Sequence, residues 1–257
     1  MNDPNGVEFL IASKIAMPVA NWHYRRTRGY AMRTLALDQS TAQGTLAILD
    51  DDKVILERSW TDSRAASRQV YSIISELGTS GMLDLSAIDL FVAGLGPGSF
   101  TGMRIAVTAI RAMALPGRKL TRGVSSGRAL AWARLTVHEG GEALVAGDAR
   151  RDRYWLARFT MANGAIRPIT QWTLVGRQEA QPWLVPGALF LSPDWDRIPE
   201  LGAAARAAGM QVVEGPQAAT AGDVGRLALL EYRQGLPPEP MEPIYIHPAV
   251  FVAPRFV

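Results

Sequence analysis

Apolar and polar positions along this chain follow two patterns that predict different elements. Short apolar segments between polar or glycine-rich turns predict strands, and apolar residues at three- and four-residue spacing predict helices. The predicted strands of the first half are residues 34–38, 45–49, 54–60, 90–93 and 120–124. The predicted helices are residues 64–77, 103–115 and 126–135. Because the first three strands are so close in sequence, we expect an antiparallel meander.

The same kind of pattern begins again after residue 140. The predicted strands are residues 143–146, 154–159, 168–174, 189–191 and 212–213, and the predicted helices are residues 201–208 and 221–233. A strand with an acid at or near its end opens each half, with Asp38 in the first and Asp148 in the second. The repeated order of strand-acid, strand, strand, helix, strand and helix predicts a duplicated α/β lobe. The proline-rich residues 237–254 predict an extended tail.

A glycine-rich loop lies between the strand at 90–93 and the helix that follows it. It consists of Gly94, Leu95, Gly96, Pro97, Gly98, Ser99, Phe100, Thr101 and Gly102. Such a loop at a helix N-terminus can bind an anion, and Ser99 or Thr101 could cap the helix. Its spacing matches neither a Walker A loop nor the dinucleotide fingerprint. An anion site and a tight structural turn therefore both remain open.

Composition excludes several kinds of chemistry. The chain of 257 residues contains no cysteine, which excludes disulfides, thiol nucleophiles and thiolate metal sites. Its net charge is +3, of which +2 falls in residues 1–31, so charge is no argument for nucleic-acid binding by the rest. Residues 1–31 are unlike the remainder and too weakly apolar for a signal or membrane span. We expect them to be a disordered extension or a mis-assigned start ahead of Met32.

No catalytic or metal-binding constellation is evident. His23, His138 and His247 are far apart in sequence, so none forms a paired metal motif. The chain has no nucleophile elbow of the GxSxG type. Ser99 lies in the glycine-rich loop without an obvious general base nearby in sequence. We therefore predict no catalytic residue and no metal ligand.

The amino-acid sequence of the glycine-rich loop resembles that of a known family. Residues 96–105, GPGSFTGMRI, resemble the signature of the TsaB (YeaZ) family. Weaker matches occur on both sides of the loop, in the family's order: at residues 32–41, at 145–150 with Tyr154, and at 243–246. The resemblance covers roughly residues 32–257. It implies the two-lobed α/β fold shared by actin, sugar kinases and heat-shock ATPases, with βββαβα lobes at 32–134 and 135–257 and the tail packing back.

The resemblance also implies a function and partners. It implies a cytoplasmic, non-catalytic subunit of the tRNA adenosine threonylcarbamoyltransferase complex, which activates the catalytic paralogue TsaD and recruits the ATPase TsaE. Contact with tRNA is expected to be indirect, and no membrane is involved. In the family, the two helices of the first lobe pack against the paralogue. The apolar residues assigned to that interface are Ala66, Val70, Ile73, Ile74, Leu77, Met103, Ala106, Val107, Ile110 and Met113. Replacing Ile73 or Ile110 by Asp is expected to block association.

The fold implies a candidate nucleotide site as well. In this class a turn after the first strand faces phosphate and magnesium, which points to Asp38, Ser40, Thr41, Gly96, Gly98 and Asp148. ATP or ADP with magnesium is expected to bind weakly or at a junction shared with a partner. The alternative is that both acids only cap turns. Two other functions remain open: an independent ATPase or small-molecule kinase using Asp38 and Asp148, and a self-associating regulatory homodimer.

Two positions depart from the family pattern. Family members often carry a histidine where this chain has Ala66, at the start of the first helix. They often carry an arginine where it has His247, after the Tyr-Ile pair of the tail. Contacts at both places are therefore in question.

Overall fold

The computed structural model describes residues 31–61, 66–138 and 141–247, without the side chains of Ala66 and Ser67. The expectation for residues 1–31 falls, except for Ala31, outside the described residues. The same holds for the tail beyond residue 247 and for the side chain assigned to the interface at Ala66.

The elements follow the predicted order closely. The first half contains β1 (Arg33–Asp38), β2 (Gln43–Asp50), β3 (Lys53–Thr61), α1 (Ala66–Thr79), β4 (Leu90–Gly94), α2 (Phe100–Ala114), β5 (Leu120–Val124) and α3 (Ser126–Val137). The second half contains β6 (Gly141–Arg150), β7 (Arg153–Ala162), β8 (Ala165–Pro168), β9 (Thr173–Gly176), β10 (Leu189–Leu191), α4 (Pro199–Ala207), β11 (Gln211–Val212) and α5 (Ala221–Arg233).

The first sheet has the strand order β3-β2-β1-β4-β5. β1, β2 and β3 pair antiparallel, which confirms the predicted meander, whereas β1, β4 and β5 run parallel. Every residue of β4 is buried, in agreement with its continuous apolar sequence. The parallel arrangement brings the C-terminal ends of β1 and β4 to one edge of the sheet.

The second sheet has the order β11-β10-β6-β7-β8, and β9 also pairs with β7. The predicted single strand at residues 168–174 is wrong, because the chain bends after Pro168 and begins β9 only at Thr173. Pro168 has no N–H to donate and so ends β8. The repeat is also incomplete, since two short 3-10 turns at residues 177–179 and 181–183 occupy the region before β10 where the first half has α1.

The helices are exchanged between the two halves. α1 and α2 cover one face of the first sheet, but its other face is covered by α5, from the end of the sequence. α3, from the first half, packs on β6 and β7 of the second sheet and on α5. The boundary between residues 134 and 135 therefore separates the two sheets but not the helices that cover them. Gly225 allows the close approach of α5, because a Cβ there would lie 2.7 Å from Leu49 Cδ1.

A partly buried charged cluster joins the exchanged helices to the tail. Arg128 of α3 forms ion pairs with Glu231 of α5 and, at 2.5 Å, with Glu239 of the tail. Burial raises the pKa of Glu239, and the neighbouring Arg128 opposes that rise. Arg122 donates to the carbonyl of Leu236 at 2.5 Å. Removing one member of such a cluster leaves an unpaired buried charge, so the cluster links these elements firmly.

The glycine-rich loop packs directly on the turn that follows β1. A Cβ on Gly98 would lie 1.9 Å from the Ser40 carbonyl oxygen, and one on Gly102 would lie 1.9 Å from that of Gln39. The Ser99 N–H donates to the Ser40 carbonyl at 2.7 Å, and the Ser99 hydroxyl caps α2 by accepting from Gly102 N at 3.2 Å. The glycines are therefore required where backbone meets backbone.

We expect Gly102→Ala to lower the free energy of unfolding by about 1–3 kcal/mol, because the new methyl group must displace the Gln39 carbonyl. The matched control is Gly78→Ala in α1, where a Cβ would meet no atom of the described residues within 4 Å. Alanine there should raise stability by roughly 0.5–1 kcal/mol. Urea unfolding of both variants measures the difference, and equal effects would contradict the packing described.

Candidate functional site

A cavity of about 1150 Å³ lies between the two sheets. Its first-lobe wall is the turn after β1 and the start of α2. Its second-lobe wall is the end of β6 and the turn after β10, and tail residues 244–247 complete the lining. The fold thus brings together segments that are far apart in sequence.

Four of the six predicted nucleotide-binding residues line this cavity: Ser40, Thr41, Gly98 and Asp148. Gly96 is not among the lining residues. Its N–H donates to the Ser126 hydroxyl at 2.9 Å, and its carbonyl accepts from the Ser125 hydroxyl at 3.1 Å. Gly96 therefore fixes the start of α3 rather than facing the cavity.

Asp38 is also absent from the lining, because its carboxyl group is enclosed by the chain. One oxygen accepts from Ser40 N at 2.8 Å and from the Ser40 hydroxyl at 2.7 Å, and the other accepts from the Ser126 hydroxyl. A Cβ on Gly94 would lie 1.9 Å from Asp38 Oδ2. Burial raises the pKa of Asp38, and the hydrogen bonds oppose the rise. Of the two interpretations of Asp38, turn capping is the one that this geometry favours.

The second-lobe wall carries acids next to arginines. The Asp148 carboxylate accepts from Arg150 N at 2.9 Å and pairs with the Arg150 guanidinium at 3.2 Å. The Asp148 N–H donates to Asp194 Oδ2 at 3.0 Å, and burial raises the pKa of Asp194. Arg197 lies 3.5 Å from Asp194. Arg150 is held at φ +64° at the hairpin that joins β6 to β7.

The tail contacts both walls. Ile244 N–H donates to the Leu95 carbonyl at 2.9 Å, and Arg104 Nε donates to the Tyr245 hydroxyl at 2.8 Å. His247 Nε2 lies 2.7 Å from the carbonyl oxygen of Ala149. The histidine that departs from the family pattern therefore does make a tail contact in this chain.

Several residues of the site are not predicted by the sequence. Arg104, Arg150 and Tyr245 lie within the motif segments but were not assigned to the site, and Asp194 and Arg197 carried no sequence signal. Ser126, which bonds to Asp38, lies 88 residues further along the chain. Ser99 has a structural part as the cap of α2.

The predicted partner residues divide into two groups. Six are buried in the chain's own core and cannot meet a partner in this conformation: Val70, Leu77, Met103, Ala106, Val107 and Ile110. Ile73, Ile74 and Met113 are half-buried. The large apolar side chains most exposed at α1 and at the two ends of α2 are instead Tyr71 (75%), Leu115 (74%) and Phe100 (53%). Apolar periodicity identified both helices but not which residues face outward.

Two further observations concern the described residues alone. No helix among them has the length and apolar content needed to cross a membrane. Nor do residues 31–61, 66–138 and 141–247 contain three or more His, Cys, Asp or Glu side chains grouped as metal ligands.

Two sheets, exchanged covering helices and an interlobe cavity define the two-lobed α/β class of actin, sugar kinases and heat-shock ATPases, which confirms the predicted fold class. The chain is similar to the YeaZ structure from Pseudomonas aeruginosa, with a TM-score of 0.66 and 21% identity, covering 83% of this chain and 99% of that one. A second Pseudomonas aeruginosa structure, described as similar to peptidase YeaZ, gives a TM-score of 0.68 at 22% identity and covers 84% and 100%.

Sequence comparisons agree with this similarity. The family model for TsaD, tRNA N6-adenosine threonylcarbamoyltransferase, matches residues 61–187. The tRNA threonylcarbamoyladenosine biosynthesis protein TsaB of Haemophilus influenzae is 27% identical over 48% of this chain and 52% of its own length. TsaB of Escherichia coli is 27% identical over 52% and 58%. The chain thus spans little more than half the length of these curated relatives. Together these matches confirm that the chain resembles the TsaB (YeaZ) family.

Asp38→Asn provides a test of the enclosed carboxyl group. A raised pKa means that Asp38 binds a proton more tightly in the folded protein than in the unfolded chain. Its contribution to the free energy of unfolding therefore decreases as the pH rises above about 4. The free energy of unfolding of the parent, relative to that of Asp38→Asn, should therefore fall from about pH 4 up to the pKa of Asp38 in the folded protein. At higher pH the difference should level off. Urea unfolding across this range measures it.

The control for this experiment is Asp52→Asn, since Asp52 lies on the exposed turn between β2 and β3. Asparagine at either position removes one carboxylate, but only at Asp38 is that carboxylate enclosed by the chain. A curve of stability against pH for Asp38→Asn that runs parallel to that of the parent would show that the carboxyl group is not buried as described.

Proposed function

We propose that this chain is a cytoplasmic, non-catalytic subunit of the machinery that makes threonylcarbamoyladenosine in tRNA. In this proposal it binds a TsaD-like catalytic paralogue and holds it in its active form, while a TsaE-like ATPase joins the assembly. Contact with tRNA is indirect. The matches to TsaB carry the proposal, because both named relatives are biosynthesis proteins of this modification.

The surface of α1 and α2 supports a partner-binding role. Tyr71 on α1 and Leu115 just after α2 are each about three-quarters exposed, so both offer apolar surface to a partner. The same two helices carry Ile74, Ile105 and Met113, which are half-buried. A partner covering this face would remove them from water and would favour the state of the partner that binds.

Tyr71→Asp should prevent association with the paralogue, because it places a charge on the apolar face that the partner would cover. The control is Ile169→Asp, which changes an apolar residue of the second lobe that is 40% exposed. Each variant and the parent would be mixed with the TsaD-like paralogue of the same organism, and light scattering on a sizing column would measure the mass of the complexes formed. Complex formation by Tyr71→Asp as complete as that of the control would remove this face from the interface.

The earlier substitution at Ile110 is unsuited to this purpose. Ile110 is fully buried on the core-facing side of α2, so Ile110→Asp would unfold the first lobe whether or not a partner binds there. Ile73, which is half-buried on α1, remains a usable second position.

A weak adenine nucleotide site is a second proposal, favoured by the clustering of Ser40, Thr41, Gly98 and Asp148 around one cavity. ATP or ADP with magnesium would bind there, alone or at a junction with a partner.

Because the Asp38 carboxyl group faces Ser126 and not the cavity, Asp148 is the better target for mutation. An independent ATPase or kinase would turn over ATP in isolation and lose that activity in Asp148→Asn. Absence of turnover favours the subunit role.

Self-association is the third function that stays open. The exposed side chains of α1 and α2 would serve a homodimer as well as a heterodimer. A mass that doubles with concentration in the isolated chain, and returns to that of a monomer in Tyr71→Asp, would support it. A mixed complex that forms at the expense of this dimer would identify the dimer as a resting form.

A further inference from the structure

Tail residues 244–247, called the strap below, join the two walls of the cavity. On the first-lobe side the strap is bound through the backbone of Ile244 and the ring of Tyr245. The Tyr245 and Phe100 rings lie 5.1 Å apart, and the Arg104 guanidinium lies 3.9 Å from the centre of the Phe100 ring. On the second-lobe side the strap is bound through His247.

The second-lobe contact uses a special place in the sheet. The pairing of β6 with β7 changes register between Asp148 and Arg150, so Ala149 lies at a bulge. A bulged residue leaves the regular ladder, and its carbonyl is open to a partner outside the sheet. That carbonyl oxygen can only accept, so His247 Nε2 carries the proton of this hydrogen bond.

These contacts resemble those that a bound ligand makes in a two-lobed protein. Lobes that close on a ligand are held together because the ligand touches both walls. Here the strap touches Leu95, Phe100 and Arg104 on one wall and Ala149 on the other. The chain's own tail therefore supplies contacts across the cavity.

We propose that the strap is a latch, which holds the two lobes at a fixed angle and whose release lets the cavity open. Its contacts are ones that a binding partner can displace, since Phe100 remains 53% exposed and Tyr245 46% exposed. Release shifts the protein from one narrow range of lobe angles to a wider one. The latch thereby couples the tail to access to the cavity, independently of what binds there.

The absence of cysteine from the chain makes a direct distance measurement possible. Thr108→Cys on α2 and Ala203→Cys on α4 are exposed positions on the two lobes, and each can carry a spin label. Double electron–electron resonance then measures the distribution of distances between the two labels in the full chain. The doubly labelled parent should give one narrow distribution. Adding Tyr245→Ala and His247→Ala together should broaden it toward longer distances.

The control is Tyr71→Ala, which removes an exposed aromatic ring far from the strap in sequence and should leave the distribution narrow. A distribution for the double variant that superimposes on the parent's, with unchanged circular dichroism, would overturn the latch. His247→Ala alone keeps the test valid if the double variant unfolds, because His247 is exposed and contributes one hydrogen bond.

Hydrogen exchange provides the second measurement. The Ile244 amide is protected by its bond to Leu95 and should exchange faster when the latch is weakened. In His247→Ala we expect about a fivefold increase, which corresponds to about 1 kcal/mol for one hydrogen bond. An unchanged rate would show that the two ends of the strap act separately, and the latch would fail.

Discussion

The contact between the glycine-rich loop and the turn after β1 is the constraint on which much of the first lobe depends. Two carbonyl oxygens of that turn, those of Gln39 and Ser40, occupy the space where side chains of Gly102 and Gly98 would begin. This approach sets the start of α2, because Ser99 both binds Ser40 and caps the helix. It also forms one wall of the cavity.

The same constraint explains the unusual position of Asp38. With the loop pressed against β1, Gly94 leaves just enough room for the carboxyl group, and Ser126 closes the remaining side. Three donors then compensate for the loss of water around the group. The cavity gains its charge from elsewhere: from Asp148, Asp194 and their arginines on the second-lobe wall, and from Arg104 opposite them.

The sequence pattern predicts most elements but only part of the site. Strands and helices follow from residues near one another, so the meander and the helices were found, while the bend after Pro168 was missed even though proline is a recognised stop. Burial of Ile110 and exposure of Tyr71 depend on which face meets the sheet. The bond between Arg104 and Tyr245 joins residues 141 positions apart, a separation that no periodicity reveals.

The exchange of helices has a consequence for how the protein is made. The first sheet is complete in sequence at Val124, yet the helix that covers its second face begins only at Ala221. At a synthesis rate of about 5–20 residues per second, the ribosome reaches this helix on the order of 5–20 s after it completes the sheet. During that interval the nascent chain exposes Ala36, Leu49 and Val92. Chaperones that bind apolar segments on the ribosome are therefore expected to matter more for this protein than its modest size suggests.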